Sequence, residues 1–237
     1  MTFRIRWVAV AAALAACTQA NAAAVMFTGI NSSATLVFST TQDGATLLAT
    51  VKFTLQSWSA NQAVFNTLVT NSSSGPGSNS LMSFGIDVVS PALSGATTNS
   101  SMWDASIMDT LPSFQKVDLC VWAGNGCSGG SVNDGLGEGG SASFLLTLTT
   151  AGNFTQGITF TSPYGIKFQD VGLGGQSYEF AGCIQGTAGC GGDGGGGGGG
   201  SGGQVPEPDV LALLGIATLA YGLSRRIGVR PLLRVAR

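Results

Sequence analysis

Thr46-Leu47-Leu48-Ala49-Thr50-Val51-Lys52-Phe53-Thr54-Leu55 is the stretch that decides the fold. Leu47, Ala49, Val51, Phe53 and Leu55 take every second position, with Thr46, Leu48, Thr50, Lys52 and Thr54 between them. Successive side chains of a strand point to opposite faces, so the stretch has one apolar face and one largely polar face at period two. The same alternation recurs on both sides of it. Met82, Phe84, Ile86 and Val88 show it, as do Val117, Leu119 and Val121, and Ala142, Phe144, Leu146 and Leu148. Ile166 and Phe168 alternate with Lys167 and Gln169, and Ala34–Ser39, Ala63–Thr70 and Gly157–Thr161 are further candidates. Clusters of Gly, Asn, Ser and Pro at Asn71–Ser80, Ser90–Ser101 and Gly124–Gly140 read as connections. About eight short strands separated by turn chemistry predict an all-β fold, an antiparallel β-sandwich.

The two ends of the chain follow other rules. Arg4 and Arg6 precede an apolar run from Trp7 to Ala16, and Ala20-Asn21-Ala22 forms an A-x-A site. This is the layout of a secretory signal peptide over residues 1–24, with cleavage expected at Ala22 or, two residues on, at Ala24. Leu14-Ala15-Ala16-Cys17 also fits a lipoprotein box, but the orthodox site just downstream favours ordinary cleavage. Residues 25–190 are long enough for one well-packed domain. Residues 191–204 form a glycine-rich linker, a coil spanning roughly 20 Å on average. It is no phosphate cradle, because no Lys-Ser or Lys-Thr follows it.

Val205-Pro206-Glu207-Pro208 comes next, then an apolar run from Val210 to Leu223 and a basic tail opening with Arg225-Arg226. Fourteen helical residues rise about 21 Å, short of a hydrocarbon core of about 30 Å. Such a hydrophobic helix is a marginal membrane span. These three elements, in this order, resemble the PEP-CTERM sorting signal of exported bacterial proteins. The resemblance covers about residues 204–237, with the motif, span and tail at 205–237, and eleven residues follow Arg226. It implies an exosortase, a membrane cysteine protease-like enzyme, that recognises the motif and releases or transfers the protein. It also implies passage through the export machinery and at least transient residence in the inner membrane. The expected destination is then the cell surface or extracellular matrix, with exopolysaccharide as a partner and biofilm as a setting. Retention as a membrane-anchored protein is the alternative. Val121–Gly130 and Lys167–Gly172 resemble segments of a cysteine-bearing subgroup of the same proteins.

Charge narrows the role of the central domain. Between the two signals stand only Lys52, Lys116 and Lys167, against ten acids from Asp43 to Asp193, a balance of −7 with no arginine or histidine. Nucleic-acid binding needs a basic footprint and is excluded. The absence of histidine from the chain removes Ser-His-Asp and Cys-His catalysis. Two carboxylates could still hydrolyse a glycoside. The candidates Asp87, Asp104, Asp109, Asp118, Asp134, Glu138, Asp170 and Glu179 are scattered, however, and no pair stands out. The expectation is a non-enzymatic structural or adhesive protein without a cofactor. A carbohydrate-binding module stacking sugars on Trp58, Trp103 or Trp122 is the runner-up. Asn133–Glu138 offers hard oxygens to Ca²⁺ but matches no established loop, so no metal is expected.

Cys120, Cys127, Cys183 and Cys190 remain after export, two C-x₆-C pairs in an oxidising compartment. Local bridges Cys120–Cys127 and Cys183–Cys190 would each clip a loop, while two crossed connectivities remain open. Zinc would want tighter spacing or histidine. The sequons at Asn31, Asn71, Asn99 and Asn153 read as chance in a chain with bacterial signals.

Overall fold

The computed structural model describes residues 23–187 and Cys190. Within them the chain forms twelve strands and two 3₁₀ turns. The strands are β1 (Val25–Phe27), β2 (Ser33–Gln42), β3 (Ala45–Trp58), β4 (Gln62–Asn71), β5 (Gly77–Ser90) and β6 (Leu93–Thr98). They continue with β7 (Trp103–Leu111), β8 (Gln115–Ala123), β9 (Ser141–Thr150), β10 (Ile158–Val171), β11 (Gln176–Ala181) and β12 (Cys183–Ile184). All pair antiparallel, in two six-stranded sheets. Sheet I runs β1-β10-β5-β8-β7 with β11 also on β10, and sheet II runs β12-β2-β3-β4-β9-β6.

The stretch that opens the sequence reading becomes β3, the centre of sheet II. Leu47, Ala49, Val51, Phe53 and Leu55 are all fully buried. They face Phe84, Ile86, Phe160, Ile166 and Phe168 of sheet I in one continuous core. Phe53 meets Phe160 across the sheets with ring centroids 5.3 Å apart, edge to face. Phe27 and Phe65 close the same aromatic group around Phe160 at 5.1 and 5.6 Å. Two sheets packed through such interdigitating rows make a β-sandwich.

The strand count exceeds the eight expected. Gly157–Thr161 and Ile166–Gln169 are one strand, β10, carried through register shifts between Thr159 and Phe160 and between Thr161 and Tyr164. Ser90–Ser101 contains β6, and the end of Asn71–Ser80 already belongs to β5. β1, β7, β11 and β12 lie at or beside sheet edges, where one-sided burial weakens the alternation. The connection between β2 and β3 is a two-residue hairpin turn in which Asp43 and Gly44 both take positive φ, 46° and 80°. That geometry matches the twist of paired strands and favours Asp-Gly.

Both signals fall outside the described residues, apart from Ala23 and Ala24 at the domain's start. There the Tyr164 hydroxyl donates to the Ala23 carbonyl at 2.7 Å. Burial pushes the Tyr164 phenol up to about 12. Among the described residues no helix is long and apolar enough to cross a membrane.

Candidate functional site

The outer face of sheet I is where chemistry gathers, because register sets two rows of side chains across it. One row reads Gly165, Gly85, Cys120 and Ser106; the next reads Glu179, Lys167, Ser83, Trp122 and Asp104. The two glycines leave a trough that the β7–β8 hairpin fills. A Cβ on Gly165 would come within 2.5 Å of Leu111 and 2.8 Å of Phe114, and one on Gly85 within 2.9 Å of Val117. Leu111, Val117, Cys120 and Cys127 form a second small core there, with Phe114 and Trp122 against it. Sheet I is therefore buried on both faces through its middle, which is why Met82, Ser83 and Gly85 are as buried as Phe84.

The Cys120–Cys127 bridge folds its loop onto this surface. Ser83 Oγ donates to the Cys127 carbonyl at 2.8 Å. Beneath Gly129 lies Lys167, paired with Glu179; the two side chains are only 6 % and 14 % exposed. Ser113 Oγ donates to the other Glu179 oxygen at 3.3 Å. A buried ion pair of this kind fixes geometry more than it stabilises, since desolvation offsets much of its attraction.

Where the second row reaches the edge of the sheet, a cleft of about 380 Å³ opens. Thr98 at the end of β6 and Ser100, Ser101 and Met102 of the β6–β7 connection line it, with Trp103 and Asp104 of β7, Trp122 of β8 and Gly124 just after it. Half-buried Trp122 gives it an indole wall, anchored by an Nε1–H donated to Ser106 Oγ at 3.3 Å. Ser100 Oγ accepts the Met102 and Trp103 amides at 3.1 and 3.0 Å, which holds the loop. Hydroxyls, one carboxylate and one indole can hold a small polar ring. No local pattern in the sequence marks Thr98 or Ser100, because they reach Trp122 only through the pairing of β7 with β8.

The other sequence candidates separate. Trp103 is 1 % exposed and stacks on Phe144 between the sheets, so it cannot offer a face to a ligand. Trp58 ends β3, partly buried against the core. The three tryptophans therefore form no common platform. Asp87 and Asp118 are the one pair of candidate carboxylates that the fold couples directly. Asp87 Oδ1 accepts the Asp118 amide at 3.3 Å, and Asp118 Oδ2 accepts the Val88 amide at 2.9 Å. Each carboxylate thus caps a backbone donor where the β5–β8 ladder ends at Ile86–Leu119. Burial raises the Asp87 carboxyl, the Asp118 amide opposes that, and the Asp118 charge adds to it.

That raised value fixes a sign. Asp87 binds its proton more tightly folded than unfolded, so it leaves stability untouched well below the ordinary carboxylate range. It subtracts stability as pH rises from about 3.8 through the raised value. Asp87→Asn keeps the acceptor for Asp118 and removes the charge. The variant is expected to equal or exceed the parent in urea midpoint at pH 7, with the gap closing toward pH 3. A gap that widens on acidification would show the reverse sign.

The Asn133–Glu138 loop is held by the sheet. Leu136 pairs with Leu81 through backbone hydrogen bonds, and Asn79 Nδ2 donates to Glu138. Among the described residues no group of three His, Cys, Asp or Glu side chains could hold a metal ion. Asp104, Asp109, Asp134 and Asp170 stand apart along the chain. Asp170 accepts the Ser78 amide at 3.1 Å, and hydrogen bonding to Ser78 holds its carboxyl below the usual range. The local disulfide connectivity is present, Cys120 with Cys127 and Cys183 with Cys190. Cys183 lies in β12, opposite Val37 of β2.

Val205, Pro206, Glu207, Pro208, Arg225 and Arg226, like Ala22, lie outside the described residues. Comparison with known proteins addresses the first six. The family model of the PEP-CTERM protein-sorting motif matches residues 204–226, from just before Val205 to Arg226. The motif marks an exported protein that exosortase processes at the membrane. No curated protein matches the chain, and no solved structure does.

Proposed function

Starting from the PEP-CTERM protein-sorting motif carried at residues 204–226, we propose that the sandwich is a structural, adhesive domain displayed on the cell surface or in the extracellular matrix. The observation that carries the reading is the motif itself, set behind a glycine linker and a sandwich closed by two disulfides. Disulfides suit a protein that works outside the reducing cytosol. A balance of −7 suits a hydrated, soluble matrix component that contacts anionic polymers through bridging cations. In this reading the domain acts by contact and without catalytic turnover. Its partners are the export machinery, the exosortase and exopolysaccharide.

The intact mass of the protein recovered from its native host tests the reading. The expected species starts at Ala23, because cleavage after Ala24 would remove the carbonyl that Tyr164 engages. It lacks the residues beyond Val205–Pro208. A C-terminus running to Arg237 would overturn surface release and leave a membrane-tethered protein.

The cleft beside Trp122 favours a second reading, a carbohydrate-binding site for matrix polysaccharide, since an indole face stacks on a sugar ring while hydroxyls take its polar edge. Trp122→Ala is expected to weaken binding of the host's own polysaccharide about tenfold or more in calorimetry. Unchanged affinity would remove the cleft from the account.

A further inference from the structure

The fold sorts charge by sheet. β2, β3, β4, β6, β9 and β12, which make sheet II, contain no Asp or Glu, and their single charged residue is Lys52. Sheet I carries Asp87, Asp104, Asp109, Asp118, Asp170 and Glu179, with Lys116 and Lys167. The remaining acids of the described residues, Asp43, Asp134 and Glu138, sit in turns and loops at strand ends. Soluble domains ordinarily intersperse both signs over about a quarter to a third of their surface residues. An entire sheet face without a carboxylate departs from that pattern in a protein whose central region is strongly acidic.

The outward side of this sheet is built from Ser, Thr, Asn and Gln with aliphatic residues set among them. Leu68 and Leu145 stand 41 % and 40 % exposed, and Leu48 and Val64 are partly exposed. The register places Lys52 beside Leu68 and Leu68 beside Ser143, with Asn66 beside Leu145 on the next row. We propose that this face is a self-association surface, where a second copy of the chain packs sheet II against sheet II.

Three quantities support that occupant. β2, β4 and β9 are 10 residues long and β3 is 14. With β6, five strands about 4.8 Å apart and about 34 Å long present roughly 800 Å². A stable interface takes about 800 Å² per partner, so the face is large enough. Sheets stack about 10 Å apart, so joining two copies here leaves their acidic outer faces about 30 Å apart. That is several times the screening length of about 8 Å at physiological ionic strength, and the two negative charges barely repel. Contact through sheet I would bring both sets of carboxylates to about one sheet spacing. Lys52 is tolerable at such an interface because a lysine can lay its stem along a surface and carry its ammonium to the rim. Aligned twisted sheets already pack this way inside the molecule.

Sedimentation equilibrium of the mature protein from its host, over micromolar to millimolar concentration, provides the test. The expected result is a reversible dimer weakened about tenfold or more by Leu68→Glu and by Leu145→Glu. Met108→Glu, at an exposed site on β7 of the acidic sheet, is expected to leave it unchanged. Circular dichroism confirms that each variant keeps its strands. A monomer at every concentration overturns the proposal, and so does a dimer that ignores both leucine variants or that Met108→Glu dissolves. The proposal rests on the charge, the exposed leucines and the area of sheet II, so a failure of the sorting experiment would leave it standing.

Discussion

Asn71→Ala is expected to cost about 3–5 kcal/mol of folding stability, the sum of several buried polar groups left without partners. Asn71 is fully buried at the end of β4. Its Nδ2 donates to the Asn79 carbonyl at 2.9 Å and to the Leu136 carbonyl at 2.8 Å, and its Oδ1 accepts the Ser73 amide at 3.1 Å. One side chain therefore joins β4, the start of β5 and the Asn133–Glu138 loop. Alanine would take the partner from the Asn79 carbonyl and the Ser73 amide, and would leave the Leu136 carbonyl with only the Leu81 amide. Asn71→Asp keeps the acceptor, loses both donations and adds a charge to a dry site, so it is expected to be no milder. Urea unfolding with disulfides intact reads the effect. A loss under about 1 kcal/mol would mean that water replaces the side chain. Burial also places this sequon beyond the reach of any modifying enzyme in the folded domain.

Phe160→Ala is expected to destabilise by a similar amount, about 3–5 kcal/mol, through lost transfer energy and the cavity left behind. Phe160 belongs to sheet I but touches Phe53 and Phe65 of sheet II, and Phe27 of the edge strand β1. It links β10 and its ladder partner β1 in sheet I to the paired strands β3 and β4 of sheet II. Phe160→Leu keeps most of the volume and is expected to cost less than about 2 kcal/mol. The same urea experiment separates the two. Equal losses would show that ring geometry rather than volume holds the sheets together.

Legibility in the sequence followed burial. β3, β4 and β9 are covered on one face only, so their side chains alternate and their positions can be read within two or three residues. β5 shows the limit. Its Phe84, Ile86 and Val88 alternate as expected, but Met82, Ser83 and Gly85 are also buried, because the β7–β8 hairpin and a disulfide loop cover the outer side. Nothing within β5 itself announces that covering. β6 is missed since its Ser, Gly, Ala and Thr share their composition with loops, and β11 since none of its six residues is fully buried and no alternation shows. The sorting motif was legible because it is contiguous. The Trp122 cleft was not, because its walls meet only through the register of β7 on β8. The alternation of Leu119 and Val121 does put Trp122 on the outer face, whereas the burial of Trp103 has no comparable local sign. Charge segregation was invisible for a further reason: the acids are spread along the sequence, and only topology shows that every one carried on a strand of the described residues belongs to sheet I.

The bridge between Cys183 and Cys190 sets how a mechanical load would enter the domain. Any pull on the linker arrives first at Cys190. The bridge passes it covalently to Cys183, which lies in β12 opposite Val37 of β2. Residues 184–189 are thereby taken out of the line of force, and the tension falls on the edge of sheet II. With the bridge reduced, the same pull would first part the Gln185 amide from the Thr35 carbonyl and then peel Ile184 from Leu36 before reaching Cys183. The disulfide works as a cleat where the rope meets the hull.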